Sequence, residues 1–184
     1  MKIAIHQPNF IPWMPYFYKM AMADKFLILN NVQFEKNGFQ NRYKTGEDWI
    51  TKPVKNGMDL IKDKRYTSDR SLNELNMNWI NVIKETLEID TEIVYPKWGS
   101  ECSATERLIN EIKLHSCNTY ITNPEAKNKY LDEDLMRNSG IEIEYCQVPR
   151  HLHIHIFDAF NKYGIEGTIK QLPRRKDAIA YANV

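Results

Sequence analysis

The chain has 184 residues, of which 42% are hydrophobic and 27% are charged, as is typical of a soluble globular protein of one domain. A net charge of +1 provides no general attraction to nucleic acid or anionic membranes, which excludes the strongly basic binding proteins. No run approaches the roughly 20 apolar residues of a membrane span, and the three cysteines form no CxxC pair, so we expect a cytoplasmic protein without a disulfide framework.

The opening stretch joins an apolar strand, residues 2–5, to a polar cluster formed by His6, Gln7, Pro8 and Asn9. Prolines at 8, 12 and 15 stiffen this connection because each fixes its own φ near −65°. Polar side chains at the carboxyl end of a buried strand indicate a ligand site in an open α/β sheet. The alternative is an ordinary proline-rich turn in which the histidine has a structural partner.

A helix over residues 13–23 and a strand over residues 25–29 follow, and this strand–helix–strand order predicts a parallel sheet. The next segment, residues 30–42, is rich in Asn and Gln and also contains Lys36 and Arg42. Its amide and cationic groups could bind hydroxyls or phosphates, or the segment could be a solvated loop.

The remaining elements are predicted from apolar periodicity and from capping signals. They are a strand at 49–54, a helix from Ser71 and Glu74 to about 88, a strand at 91–95, a helix from Ser103 and Glu106 to about 115, a strand at 119–122, a helix from Asn123-Pro124 to about 138, and a strand at 141–146. The amides near Asn123 could hold an anion, although capping alone explains the residue.

We therefore predict a single α/β domain over residues 1–184, with a mostly parallel open sheet and helices on both faces. The site is expected at the carboxyl ends of the strands, and residues 165–184 are expected to form a peripheral tail. His151, His153 and His155 alternate, but they lead into a helix at 156–163 and no carboxylate or cysteine accompanies them. We expect no metal site, and the basic run 174–176 is too short to indicate nucleic acid.

The motif IHQPNFIPW, followed by Tyr16 and Lys19, resembles the opening of the WbqC-like family, a bacterial family found in gene clusters for O-antigen and other surface polysaccharides. The resemblance continues through Gln33 and residues 36–42 and reaches Gly164 by way of weaker matches that include Tyr130. The chain departs from the family pattern in three places, with Pro15 for Gly, Asn30-Asn31 where acids are common, and His155 where a hydroxyl is common. If those acids serve catalysis, this chain lacks them or has a different substrate.

The resemblance implies an enzyme that acts on a nucleotide-linked sugar. Our leading hypothesis is the transfer of a small acyl or aminoacyl group to the amine of such a sugar, without a tightly bound cofactor. The donor could be an acyl carrier or a charged tRNA, no nucleic-acid sequence would be recognised, and the chain could form a homodimer.

This hypothesis gives roles to the candidate residues. His6 would accept the amine proton, since its ordinary pKa is near 6.5, and Gln7, Asn9 and Asn41 would orient the sugar or the oxyanion. The remaining substrate-binding candidates are Lys36 and Arg42 for the diphosphate, Trp13 or Tyr16 for stacking, and Pro8, Lys19, Gln33, Asn123 and Tyr130.

Two alternatives come from other classes of protein. A histidine after the first strand is loosely similar to the nucleotidyltransferase superfamily, although a second motif histidine is missing; binding of ATP or CTP with magnesium would favour it. A non-catalytic sugar-binding or assembly protein would bind the same ligands without forming a product.

Overall fold

The structure is a computed structural model that describes residues 1–57, 59–97 and 103–173. Its strands are β1 (Lys2–His6), β2 (Lys25–Ile28), β3 (Arg42–Thr45), β4 (Asp48–Thr51), β5 (Glu92–Val94), β6 (Thr119–Thr122) and β7 (Glu142–Tyr145). Five of them form one parallel sheet in the order β5-β2-β1-β6-β7, which confirms the predicted fold class.

Helices cover both faces of the sheet, and they are α1 (Met14–Met22), α2 (Leu72–Thr86), α3 (Ala104–Leu114), α4 (Glu133–Asn138) and α5 (Ile156–Ile169). α1, α2 and α5 pack on the face that includes Ala4, and α3 and α4 pack on the face that includes Ile3 and Ile5. The central strands β1, β2 and β6 are thus buried on both sides, which explains why their sequences are mostly apolar. Both predicted capping boxes are present, at Ser71 with Glu74 and at Ser103 with Glu106.

The chain reverses its direction of winding between β1 and β6. From β1 it proceeds to β2 and β5 on one side, and it then returns to place β6 and β7 on the other side of β1. In open parallel sheets, such a switch point leaves a crevice at the carboxyl ends of the two strands, where ligands bind. β1 ends at His6, so residues 7–13, which we call the motif loop, begin at this crevice.

Two predicted elements differ from the structure. The helix expected over 124–138 is a 3-10 turn, Pro124–Asn128, followed by the separate helix α4, because Leu131 is buried and the Asp132 side chain caps a new helix at Leu135. The strand expected at 49–54 is β4, and it pairs with β3 in an exposed antiparallel hairpin outside the main sheet. The sheet therefore has no third strand between β2 and β5 in the described residues.

The end of the chain packs more closely than a peripheral tail would. Gly164 has a φ of 68° and interrupts α5 where the helix was predicted to stop. Beyond it, Thr168 and Leu172 are buried, so residues 165–173 belong to the packed fold. Residues 174–176 lie outside the described residues. Within the described ranges, no helix is both long enough and apolar enough to cross a membrane.

Candidate functional site at the switch point

The motif loop has a fixed backbone. Ile11 has a φ of 45°, a left-handed conformation that is rare for a β-branched residue. The buried His155 holds it in place, since its Nε2 donates to the Ile11 carbonyl over 3.1 Å while its Nδ1 accepts from the amide of Phe157. Strain of this kind persists only where the surroundings impose it, and it is concentrated at functional sites.

The three alternating histidines have separate structural surroundings. Both ring nitrogens of His155 make hydrogen bonds, as described above, and its ring stacks on Tyr43 at 4.3 Å. His151 pairs with the side chain of Gln171, and His153 donates to the Val148 carbonyl. The three rings therefore do not converge on one point.

His6 lies at the crevice with one ring nitrogen that has no hydrogen-bond partner within the described residues. Its Nδ1 lies 3.1 Å from the carbonyl oxygen of Gln7, and because a carbonyl can only accept, Nδ1 carries the proton. Nε2 is then the unprotonated nitrogen. Burial, followed by the charge of Lys19, lowers the pKa of His6 to about 3, against a smaller opposing effect of the Gln7 hydrogen bond. His6 is therefore neutral at physiological pH, and it is a weaker base than its ordinary pKa indicates.

Gln7 presents a donor beside this acceptor. The backbone amide of Glu35 donates to Oε1 of Gln40 over 2.7 Å, which fixes the amide orientation of Gln40. Nε2 of Gln40 then donates to Oε1 of Gln7 over 2.6 Å. The Nε2 group of Gln7 makes no hydrogen bond within the described residues, so it is available to a ligand.

Lys19 adds a buried positive charge. It lies on α1 with 5% of its surface exposed, near enough to His6 to affect the pKa of that ring. Among residues 1–57, 59–97 and 103–173, no carboxylate forms an ion pair with it. Cys146 is near, but burial raises the pKa of its thiol to about 11, so it provides no negative charge at neutral pH. Burial lowers the pKa of Lys19 to about 8, as expected of an ammonium without an anion.

The other candidates of the motif are buried to different degrees. Trp13 is 39% exposed, whereas Pro8 and Asn9 are buried. Tyr16 is 1% exposed, with its ring edge against His6 at 4.8 Å and its hydroxyl donating to the Gln7 carbonyl. Tyr16 therefore supports His6 and Gln7 from below, and its ring is not open to a stacking ligand.

A second concave region lies between the hairpin and the loops around it. This basic cleft encloses about 560 Å³, and its lining includes Gln33, Lys36, Asn41, Arg42, Lys55 and Lys64. Four of the predicted binding residues meet here. Lys55 and Lys64 were not predicted, because they lie more than a dozen residues further along the chain, after the hairpin.

Three half-exposed aromatic rings, Trp13, Phe39 and Trp49, form an aromatic shelf. Trp13 and Phe39 are parallel within 6° at a centroid distance of 6.5 Å, and Phe39 lies 5.6 Å from Trp49. The guanidinium of Arg42 lies 4.1 Å from the Trp49 ring centre. Arg42 thus belongs to both the shelf and the basic cleft.

The last two candidates, Asn123 and Tyr130, lie outside both the motif loop and the basic cleft. Continuing the β1–β6 register by two residues places Asn123 level with His6, although the Asn123 side chain makes no capping hydrogen bond. Tyr130 is 46% exposed, and it lies near Tyr120, on the face covered by α3 and α4. The structure brings Asn123 to the crevice, but it does not bring Tyr130 to the motif loop.

Comparisons with known proteins identify the family of this chain. The profile of the WbqC-like protein family matches residues 7–71 and 56–163, which include the motif loop, the basic cleft and most of the second half. The chain belongs to the WbqC-like protein family. It is also 26% identical, over 189 residues, to the uncharacterized protein Rv1507c of Mycobacterium tuberculosis, covering 78% of this chain and 81% of that protein. No solved structure matches significantly.

Within this WbqC-like fold, the least expected site residue is Asn76. Its buried Nδ2 donates to the carbonyls of Pro8 and Gln40, at 2.8 and 2.7 Å, and so ties the motif loop to the loop of the basic cleft. A signal for it was present in the sequence, because Asn76 lies four residues after Leu72 and four before Ile80, on the apolar stripe of α2. A polar residue on a buried helical stripe indicates a specific partner.

Proposed function

We propose that the protein is a transferase of bacterial O-antigen or other surface-polysaccharide biosynthesis. It would move a small acyl or aminoacyl group to the amine of a nucleotide-linked amino sugar, in the cytoplasm and without a tightly bound cofactor. The observation that carries the proposal is the arrangement of hydrogen bonds at the end of β1. It leaves an acceptor on His6 Nε2 and a donor on Gln7 Nε2, and the ammonium of Lys19, which has no ion pair within the described residues, lies near His6.

These three groups match the requirements of acyl transfer to an amine. The amine nitrogen forms a bond to the acyl carbon, the bond from that carbon to the donor breaks, and one amine proton ends on the leaving group. An acceptor is needed for the amine hydrogen, and donors are needed for the oxyanion that develops on the acyl oxygen. His6 supplies the acceptor, and Gln7 and Lys19 supply the donors.

The low pKa of His6 makes it a hydrogen-bond acceptor for the amine rather than a base that keeps the proton, since protonation at a pKa of about 3 is unfavourable at neutral pH. Since the proton finally leaves with the donor group, His6 has only to orient the amine. A histidine with a pKa of about 3 remains neutral when the amine arrives. Lys19, with a pKa of about 8, is the cation beside it.

The test is a product assay by mass spectrometry. Nucleotide-linked amino sugars are incubated with the protein and with panels of thioester donors, acyl carriers and charged tRNA. We expect an acylated sugar with the wild type, none with His6→Ala, and unchanged turnover with His151→Ala, which removes an exposed histidine that pairs with Gln171. Full turnover by a folded His6→Ala protein contradicts the proposal.

One observation favours a second candidate, a nucleotide-dependent enzyme of another type. The sheet order β5-β2-β1-β6-β7 follows the same doubly wound pattern as many nucleotide-binding folds. Under this alternative, ATP or CTP with magnesium would be consumed when the amino sugar is omitted. Ligand binding without any product would instead indicate a sugar-binding or assembly protein.

A further inference from the structure

We infer that the basic cleft is a separate subsite for a sugar diphosphate, in which cationic side chains hold the phosphates and fixed amide oxygens hold the sugar hydroxyls. The inference deepens the proposed function and rests on it in one respect, since only the proposed function specifies that the sugar carries an amine. The recognition of phosphates and hydroxyls is argued from the residues of the cleft alone.

The cleft is suited to an anion with several charges. Lys36, Arg42, Lys55 and Lys64 line it, and none of its described lining residues is acidic. Lys64 is compensated by Asp59 at 3.2 Å, whereas the other three cations have no ion pair within the described residues. The unneutralised charge in one concave region therefore favours a diphosphate over a single carboxylate.

Arg42 has an unused donor inside the protein. Its Nη2 donates to the Asn37 carbonyl, whereas its Nε is buried and has no hydrogen-bond partner. A buried N–H without a partner destabilises the folded protein. Because Arg42 also lines the cleft, a bound phosphate would draw its guanidinium toward the ligand and give this donor a partner.

Two amides of the cleft are each oriented by one N–H bond to the protein. Nε2 of Gln33 donates to the Asp59 carbonyl, and Nδ2 of Asn41 donates to the Lys52 carbonyl, both over 2.9 Å. Their oxygens remain as acceptors in a cleft that otherwise contains cations. A bare phosphate has no hydrogens to donate to them, whereas sugar hydroxyls do. A ligand with both phosphates and hydroxyls therefore matches the cations and the amide oxygens together, and a volume of about 560 Å³ is within the range of such small-molecule sites.

The residues around the basic cleft indicate how this ligand would be oriented. Arg42 stacks on Trp49 at the rim, so a nucleobase next to the phosphates would reach the aromatic shelf. Asn41 is next to Gln40, and Gln40 donates to Gln7 beside His6. A sugar held by Asn41 would thus lie on the side of the cleft that leads to the acceptor nitrogen.

Calorimetry with pyrophosphate, with UDP and dTDP, and with their amino sugars tests the assignment. Arg42→Met should weaken the binding of all of them by about tenfold or more, the expected loss of a charge-assisted hydrogen bond. Lys113→Met, which removes an exposed lysine of α3, is the matched control and should leave every affinity unchanged. Unchanged pyrophosphate affinity in Arg42→Met overturns the inference.

The amide oxygens need their own variants. Gln33→Met and Asn41→Leu should lower the affinity for the nucleotide sugars severalfold and leave the affinity for pyrophosphate unchanged. Thermal unfolding checks that each variant is folded. Equal weakening of pyrophosphate contradicts the hydroxyl role. A single-stranded oligonucleotide that binds more tightly than the nucleotide sugars also overturns the inference.

Failure of this inference can be distinguished from failure of the proposed function. If nucleotide sugars bind through Arg42 and Asn41 but no donor yields an acylated product, only the acyl transfer is refuted. If acyl transfer occurs with the same KM in Arg42→Met as in the wild type, only the cleft assignment is refuted.

Discussion

Replacing Lys19 by methionine should make the protein more stable while removing its positive charge. Burial lowers the pKa of Lys19 from 10.5 to about 8, a difference of about 2.5 pH units. At about 1.4 kcal/mol per unit, keeping the proton on this residue at pH 7 costs the folded state about 3 kcal/mol. Methionine has a similar shape and no charge, so Lys19→Met should raise the free energy of unfolding by that order.

Thermal unfolding at pH 7 measures this gain, and a chain of this size should melt roughly 6–12 °C higher. The pH dependence gives a second test. Between pH 8 and 10.5 the unfolded chain holds a proton that the folded chain has lost, so the stability of the wild type should rise with pH in this window. Lys19→Met should lack the rise, and Lys113→Met should retain it. A Lys19→Met protein that is less stable at pH 7 would refute the reasoning, since Lys19 would then have a partner that stabilises it.

Three further predictions concern the same site. The value of kcat/KM should fall as pH rises through about 8, because free Lys19 loses its proton there, and Lys19→Arg should move this loss to higher pH in the measured profile. Gln40→Leu should remove the hydrogen bond that orients the Gln7 side chain and so lower turnover, while the affinity for pyrophosphate in calorimetry stays constant. An equal loss of turnover and of pyrophosphate affinity would contradict the orienting role of Gln40. Asn76→Ala should lower the free energy of unfolding by about 2–3 kcal/mol in urea titrations, since two buried carbonyls lose their donor, and a loss below about 0.5 kcal/mol would contradict that role.

The fold could be predicted because its signals are local. Apolar runs, two capping boxes and the early strand–helix–strand order specify the strands, the helices and the parallel pairing. Only the β4 strand of the hairpin was predicted. β3 was missed because it is polar and half-exposed, and no apolar alternation marks it in the sequence. Gly46, with a φ of 56° between β3 and β4, was the available turn signal.

The candidate site was less predictable because its organisation depends on contacts between distant residues. The bond that orients Gln7 comes from Gln40, 33 residues away, and the bonds of Asn76 reach 68 and 36 residues back. The residue types at the end of β1 indicated a site. The sequence could not show that Tyr16 is buried under His6, or that burial lowers the pKa of His6 to about 3.

The central claim is that a neutral His6 offers Nε2 to the amine of the acceptor. Nitrogen-15 NMR of histidine-labelled protein, with His6→Ala for assignment, tests it most directly. We predict that His6 keeps its proton on Nδ1 and does not titrate between pH 5 and 8. Its Nε2 signal should shift when a nucleotide-linked amino sugar is added, and much less with the matching hydroxyl sugar. Titration of His6 near pH 6.5, or equal responses to the two sugars, would contradict the claim.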